Sequence, residues 1–284
     1  MTGGTEHSPS MTVRSRISGR PFVAFILLTF VLSWTAWSVL ALIGGEPGVD
    51  SLATVAWLAG GFGPPVAALV VVALTDGFGS VKALLGQLTR WRAPWVLWVL
   101  ALLLPGAIVA FVFSVDVVLR DIHPAAPELA TVGLVLGILV QNVLLTGGPE
   151  EIGWRGFALP RLQRRWSALG SSLVLGVVWI VWHAPLFVIP GTGQEEFPLV
   201  PYILMGLALA IIFTWMYNAS RGSLLLVVLL HGTVNAWLGS IVVLGDELGQ
   251  VRGWVVAGAF LVIAGTILWR YGAEDLAAVP RQQE

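Results

Sequence analysis

Long apolar stretches separated by short polar segments run through most of this chain. Eight stretches of membrane-spanning length can be distinguished, at 22–43, 52–74, 95–115, 131–154, 169–189, 199–217, 224–244 and 253–269. A helix needs about 20 apolar residues to cross the hydrocarbon core of a bilayer. Because backbone that faces lipid must satisfy its own hydrogen bonds, such segments form helices. The pattern predicts an all-α, polytopic membrane helix bundle with about eight transmembrane helices.

Composition supports a membrane location and narrows the partners. Of the 284 residues, 57% are hydrophobic and 11% are charged, and the mean hydropathy is +0.86. Soluble domains carry about 25% charged residues, so a soluble fold could not cover its surface with so few. The net charge of −1 gives no case for nucleic-acid binding. The absence of cysteine removes disulfides, thiolate metal sites and cysteine nucleophiles. We expect a multi-pass protein of the cell membrane, surrounded by the lipid bilayer.

The charges and the first apolar run predict the topology. The run at 22–43 is longer than the roughly 7–15 apolar residues of a cleaved signal peptide, so it is interpreted as a retained anchor. When loops are assigned to alternate sides, 13 of the 15 basic residues fall on one side, and Arg120 and Arg252 fall on the other. The positive-inside rule then places both termini in the cytoplasm. The predicted organisation is a cytoplasmic tail at 1–20, a single transmembrane domain at 21–270 and a cytoplasmic tail at 271–284.

Three polar clusters lie inside the predicted spans, where ionisable side chains are costly and are functional candidates by default. They have the sequences EEIGWR at 150–155, WIVWH at 179–183 and HGTVN at 231–235. Residues four apart share one helix face. Three intramembrane faces are therefore predicted, one in each cluster: Glu151 with Arg155, Trp179 with His183, and His231 with Asn235. Three helices could present these faces to one cavity, with Glu150 pointing about 100° away from the Glu151–Arg155 pair.

Simpler interpretations remain open for each cluster alone. The acidic cluster could be an ion pair at a helix end near water. A single His or Asn could hydrogen-bond a neighbouring helix. Asp116 is expected to reach water at the outer end of its helix. The combination favours a common site, because both histidines within the spans belong to it.

The three clusters resemble the EExxxR, FxxxH and HxxxN motifs of the CAAX-prenyl-protease-2 and bacteriocin-processing family (the CPBP or Abi family) of intramembrane peptidases. The run EEIGWRGFALPRLQ at 150–163 is similar to its bacterial branch, as are HAPLF at 183–187 and RGSLLL at 221–226. The resemblance covers about 131–240. One departure is Trp179, which stands where the family usually has Phe.

The resemblance implies an intramembrane endopeptidase whose catalytic residues are Glu150, Glu151, Arg155, His183, His231 and Asn235. It implies that Glu150 is the general base, oriented with help from His183. His231 and Asn235 would donate hydrogen bonds to the oxyanion. In the alternative, a divalent metal such as zinc would be bound by His183 and His231. No cofactor is certain, and we hypothesise a reaction without an obligatory metal.

The expected partner is a peptide or membrane-protein substrate; prenylation of the substrate and the oligomeric state are left open. A non-catalytic immunity or scaffold protein of the same fold is the alternative function, and a secondary transporter is a third.

The predicted site residues lie at different depths in the bilayer. Straight helices would place His183 about 21 Å and His231 about 10 Å from their cytoplasmic ends, while Glu150 lies near the boundary. The fifth helix must start later, or the fourth must sit deeper, and a kink at 147–149 could achieve this.

Overall fold

A computed structural model describes residues 20–121, 129–245 and 249–278, and within these ranges all regular secondary structure is helical. The α-helices are α1 Pro21–Ile43, α2 Ser51–Gly61, α3 Gly63–Thr75, α4 Phe78–Gly86, α5 Trp95–Arg120, α6 Leu129–Leu144, α7 Gly147–Glu151, α8 Leu159–Gln163, α9 Ala168–Trp182, α10 Leu199–Ala219, α11 Leu224–Gly245 and α12 Gln250–Tyr271. A π-helical segment, Ile152–Ala158, joins α7 to α8, and short 3-10 turns occupy Gln87–Thr89 and Ala184–Val188. The predicted all-α class is confirmed.

Six helical segments in the described ranges are long and apolar enough to cross a bilayer. They are Pro21–Ile43, Trp95–Leu119, Ala168–Val188, Leu199–Ala219, Leu224–Ile241 and Gln250–Tyr271. The pair α2 and α3 would provide a seventh span, bent by 44° at the glycine-rich junction between them. The remaining predicted stretch is interrupted, because α6 ends after 16 described residues. The chain is a multi-pass integral membrane protein, and the figure of eight complete spans stays a prediction.

The helices pack in three groups around a central segment formed by α7 and the π-helical turn. Helix α1 packs on α2 and α3, α11 packs on α5 and α6, and α10 packs on α9 and α12. The central segment contacts α3 on one side and α11 on the other. Local sequence explains one of its borders: Ser167 caps α9 by accepting a hydrogen bond from the Gly170 amide at 3.1 Å, as N-cap serines commonly do. The contacts with α3 and α11 hold the acidic cluster in the middle of the bundle.

Contacts between loops connect segments that the alternating topology assigns to the same side. Asp76 pairs with Arg161 at 3.0 Å at one end of the bundle. The side chain of Glu46 packs against Gly191 in a different set of loops. The placement of both termini in the cytoplasm stays a prediction, and most of the predicted N-terminal tail lies outside the described residues.

The expectation that Asp116 reaches water was wrong. Its side chain is 1% exposed and accepts a hydrogen bond from Arg252 Nε at 2.7 Å. Both residues are buried where α5 meets α12. A charge buried this deeply needs a hydrogen-bonded partner of opposite sign. The partner is 136 positions away in sequence, which is why local spacing could not identify it.

Candidate active site

A break in the fourth apolar stretch places the acidic cluster inside the bundle. Helix α6 ends at Leu144, the backbone of Thr146 is non-helical, and α7 restarts at Gly147. The next residues continue inward, so that Glu150 is 6% exposed and Glu151 and Arg155 are 0% exposed. The break lies at 145–146, just before the kink anticipated at 147–149, and it reconciles the depth of the glutamates with that of the histidines. An ion pair at a water-exposed helix end does not describe this cluster.

Glu151 lies at the centre of a buried three-residue ionic cluster. Its Oε1 accepts a hydrogen bond from Arg155 Nη1 at 2.8 Å and lies 2.7 Å from His231 Nδ1. The pair with Arg155 is the i, i+4 contact that the spacing predicts. The contact with His231 crosses from α7 to α11. The positive charge of Arg155 compensates the carboxylate of Glu151, which burial alone would destabilise.

The rest of the Arg155 guanidinium faces aromatic rings. Its carbon Cζ lies 4.8 Å from the ring centre of Phe213 and 5.7 Å from that of Trp179. Such cation–π contacts stabilise a desolvated cation. Phe213 also lies against His231, with ring centres 5.0 Å apart. Phe213 of α10 is therefore part of the site, and no motif in the sequence singles it out.

Glu150 has a different and uncharged partner. Its Oε2 accepts a hydrogen bond from the indole Nε1 of Trp179 at 3.0 Å. The two adjacent carboxylates thus point to different neighbours, as the 100° rotation between successive helical residues requires. The family's usual Phe has no N–H group, so this hydrogen bond depends on the Trp in this chain. The sequence shows that Trp replaces the usual Phe at position 179, but it does not show that the indole contacts Glu150.

His183 is oriented by the backbone of the same Trp179. Its Nδ1 lies 2.8 Å from the Trp179 carbonyl oxygen, and the two rings meet edge to face with centres 5.1 Å apart. Because a carbonyl can only accept, Nδ1 carries the proton, and Nε2 of the neutral ring keeps its lone pair. Trp179 therefore links Glu150 to His183 through its indole and its carbonyl. The side chain of His183 is 6% exposed.

Asn235 lies one turn beyond His231 on α11, where Gly147 permits a close approach. A Cβ atom on Gly147 would stand 2.7 Å from two atoms of the His231 ring and closer still to Asn235 Nδ2. Any larger residue at 147 would push α7 away from α11. Five of the six predicted residues are connected through direct contacts or through Trp179, and Asn235 completes the set across Gly147.

A zinc site would need more ligands than these residues gather. A catalytic zinc ion usually has three protein ligands and a water. Within the described ranges, no three His, Asp or Glu side chains lie close enough together to hold a metal ion. His183 and His231 each engage Nδ1 with an oxygen acceptor, as metal-bound histidines commonly do, but they amount to two ligands. The residues do not fit a three-ligand zinc centre, and we assign no reaction step to a metal.

The fold and the buried cluster define a polytopic membrane protein with carboxylate, guanidinium and imidazole side chains in contact in its interior. Comparison with known proteins shows which family this part of the chain resembles. Residues 131–237, which include all three clusters, match the family model of the type II CAAX prenyl endopeptidase, Rce1-like. Over these residues the chain is similar to this CAAX protease family, which confirms the resemblance found in the sequence.

A named relative supports the same assignment over part of the chain. Ninety-nine residues are 34% identical to the CAAX prenyl protease 2 of Methanococcus maripaludis. The match covers 33% of this chain and 36% of that protein. The chain therefore aligns with about a third of the relative's length, and the relative's whole activity is not transferred with it.

Proposed function

We propose that this chain is an intramembrane endopeptidase that hydrolyses peptide bonds at a cavity facing the cytoplasm, with Glu150 as the general base. The observation that carries the proposal is the unequal treatment of two adjacent carboxylates. Glu151 is held by Arg155 and His231, whereas Glu150 accepts a hydrogen bond from a neutral indole. One glutamate is thus committed to an ionic cluster, and the other keeps the capacity to accept a proton.

The proposed reaction uses only groups of this chain. Glu150 takes a proton from a water molecule, and the lone pair on His183 Nε2 orients that water. The resulting hydroxide attacks the carbonyl carbon of the scissile peptide bond, forming a tetrahedral oxyanion. Asn235 Nδ2 donates to this oxyanion, and His231 Nε2 donates to it when both ring nitrogens carry a proton. Glu150 then returns its proton to the leaving amine as the C–N bond breaks.

The proposed substrate class is a peptide or a membrane protein whose cleavage site enters the bilayer region. The relative from M. maripaludis is named for prenylated CAAX substrates, so prenylation is tested as a variable. Peptides from a library with and without an S-prenylated cysteine near the C-terminus would be incubated with purified protein in detergent micelles. Mass spectrometry of the products would give both the cleavage site and the dependence on prenylation.

The decisive experiment compares Glu150→Gln with the wild-type protein. Gln keeps the shape and the indole hydrogen bond but cannot accept the proton, so cleavage should fall by at least about 100-fold, within the range of general-base catalysis. Mass spectrometry of membrane peptides from producing cells should show substrates accumulating. The matched control is Glu196→Gln in the exposed loop before α10, which should cleave like wild type. Full activity in Glu150→Gln would refute the base assignment.

The scaffold alternative makes a different prediction for the same variants. If the chain acts by binding a partner, its biological effect should survive Glu150→Gln, His183→Ala and His231→Ala as long as each protein inserts. Loss of the effect in all three, with normal amounts in the membrane, supports the peptidase.

A further inference from the structure

A cavity of about 1090 Å³ opens at the end of the bundle where α5 begins and α10 ends. Its lining includes five arginines that converge from three separate segments: Arg90, Arg92, Arg161, Arg164 and Arg221. The described lining contains neither Asp nor Glu. The peptidase mechanism uses none of these residues. The cavity therefore needs its own explanation.

One of the five charges is already compensated. Arg161 Nη2 pairs with Asp76 Oδ2 at 3.0 Å, and its Nη1 donates to the Phe157 carbonyl at 3.0 Å. Burial lowers the pKa of Arg161, the Asp76 carboxylate opposes that shift, and the like charge of Arg164 adds to it. Within the described ranges, the other four arginines of the cavity form no ion pair. Four crowded cations around a hollow strongly favour an anionic ligand.

The backbone of the α10–α11 loop lies close to the side chain of Arg90. Arg221 and Gly222 both have positive φ, at 57° and 78°. Arg90 Nη1 donates to the Arg221 carbonyl at 3.3 Å, and a Cβ on Gly222 would stand 2.8 Å from the same nitrogen. A non-glycine residue in this backbone region is uncommon and costs free energy. The loop thus tolerates strain while its backbone holds the guanidinium of Arg90.

The walls of the cavity match an amphipathic ligand at the level of the lipid headgroups. Helix α5 begins at Trp95, and both Trp91 and Trp95 are largely exposed, at 62% and 73%. Tryptophans with this exposure commonly mark the interface between headgroups and hydrocarbon. Below the arginines, Val96, Leu97 and Leu100 form an apolar wall that continues along α5 into the predicted span. Cations above an apolar wall fit a phosphate headgroup joined to an acyl chain.

We propose that this cavity is a binding site for an anionic phospholipid, with the phosphate held by the arginines and the chain lying along α5. The guanidinium group binds phosphate through paired N–H donors, which a lysine cannot match in geometry. A cavity of this volume exceeds what a glycerophosphate headgroup occupies and leaves room for the start of an acyl chain. The site is separate from the buried glutamates, so the proposal does not depend on the peptidase activity.

The test measures binding of dioleoylphosphatidylglycerol to the purified full chain in detergent micelles by native mass spectrometry. The test variant is Arg92→Gln with Arg164→Gln, since neither side chain is in an ion pair within the described part of the molecule. Each substitution should weaken binding about fivefold, or about thirtyfold together. The matched control is Lys82→Gln with Arg270→Gln, which removes two exposed cations from the same end but outside the cavity. The control should change binding by less than about threefold.

Two further ligands and a conservative variant identify the source of the anion. Phosphatidylcholine, which has no net charge, should bind at least about tenfold more weakly than phosphatidylglycerol. Glycerol 3-phosphate should also bind more weakly, because it lacks the acyl chain. Equal losses in the test and control variants would overturn the site, and equal binding of glycerol 3-phosphate would make it a site for a soluble phosphate ester. If the double variant does not fold, the single variants carry the test. Arg92→Lys with Arg164→Lys keeps both charges but loses the paired donors, so it should bind more tightly than Arg92→Gln with Arg164→Gln and more weakly than wild type.

Discussion

At the residue scale, the site depends on how each buried charge is compensated. Within the described ranges, the Glu151 carboxylate contacts two basic side chains, Arg155 and His231. Arg155→Ala would leave the Glu151 carboxylate buried without a compensating arginine, and this should lower the free energy of unfolding by about 3–5 kcal/mol. Thermal unfolding in micelles measures the loss. We expect cleavage of the peptide library to fall with it.

A double variant separates the charge from the packing. Arg155→Met with Glu151→Gln removes both charges and keeps most of the volume, so much of the stability should return. Peptidase activity should not return, because the variant lacks the Glu151 carboxylate that contacts His231. If Arg155→Met with Glu151→Gln were as unstable as Arg155→Ala, charge compensation would not be the reason for the loss.

Trp179 gives a second prediction, because its indole is the donor to Glu150. Trp179→Phe keeps an aromatic ring but removes the N–H group, and a hydrogen bond to a charged group contributes about 1.5–3 kcal/mol. If Glu150 acts as the base, we expect kcat to fall by at least about tenfold with little change in KM. The pH dependence of kcat should also shift, since the indole hydrogen bond favours the ionised carboxylate. A loss of stability alone would not produce that shift.

The matched control for Trp179 is Trp57→Phe in α2. Trp57 takes part in the Trp37 hydrogen bond through its backbone carbonyl, which the substitution leaves in place. Cleavage should stay within about twofold of wild type. A comparable fall in Trp57→Phe would show that loss of tryptophan volume, and not loss of the donor, explains Trp179→Phe.

Whether the peptidase activity requires a metal also depends on individual side chains. Two histidines fall short of the three ligands typical of catalytic zinc, so we expect activity to survive exhaustive chelation. Elemental analysis of purified protein should find no stoichiometric zinc. Loss of activity on chelation, restored by zinc and matched by one bound ion per chain, would make His183 and His231 ligands instead.

At the scale of single elements, the short helix α7 can pack close to α11 because Gly147 has no side chain. In Gly147→Ala, the new methyl group would overlap His231 and Asn235, and overpacking of this kind costs about 1–3 kcal/mol. Because Glu150 and Glu151 end α7, any displacement also moves them. We expect a lower Tm together with a fall in kcat.

The control for this element is Gly133→Ala on α6. A Cβ atom there meets nothing within 4 Å, and Gly133 is exposed. The substitution should leave activity unchanged and stabilise the helix by up to about 1 kcal/mol. The same finding shows that Gly133 and Gly137 do not form a close helix contact within the described part of the protein. If Gly147→Ala behaved like Gly133→Ala, the tight approach of α7 to α11 would not matter for the site.

At the scale of the whole molecule, the charge distribution predicts the orientation in the membrane. With 13 of 15 basic residues on one side, both termini should be cytoplasmic. A green fluorescent protein fused to the C-terminus should fluoresce. Alkaline phosphatase inserted near Glu195 should be active, because that loop is predicted to lie outside. A cytoplasmic signal from the Glu195 loop would contradict the topology.

The sequence by itself determined the all-α membrane class and the approximate positions of the six long apolar helices, and it singled out the six polar residues of the candidate site. These features are local: hydrophobic length defines a span, and a spacing of four defines a helix face. For that reason the Glu151–Arg155 pair could be predicted. The resemblance to the CAAX protease family can also be read from the sequence, since the three motifs lie in order within one region.

Only the tertiary structure decided which groups meet across helices. Glu151 lies next to His231, Glu150 accepts from Trp179, and Asp116 pairs with Arg252. These partners are 29 to 136 positions apart, and their meeting depends on helix rotation, depth and the break before Gly147. The arginine cavity arises in the same way, because separate loops converge where the helices end. Helical spacing specifies which face a residue occupies, but docking of the helices specifies what that face touches.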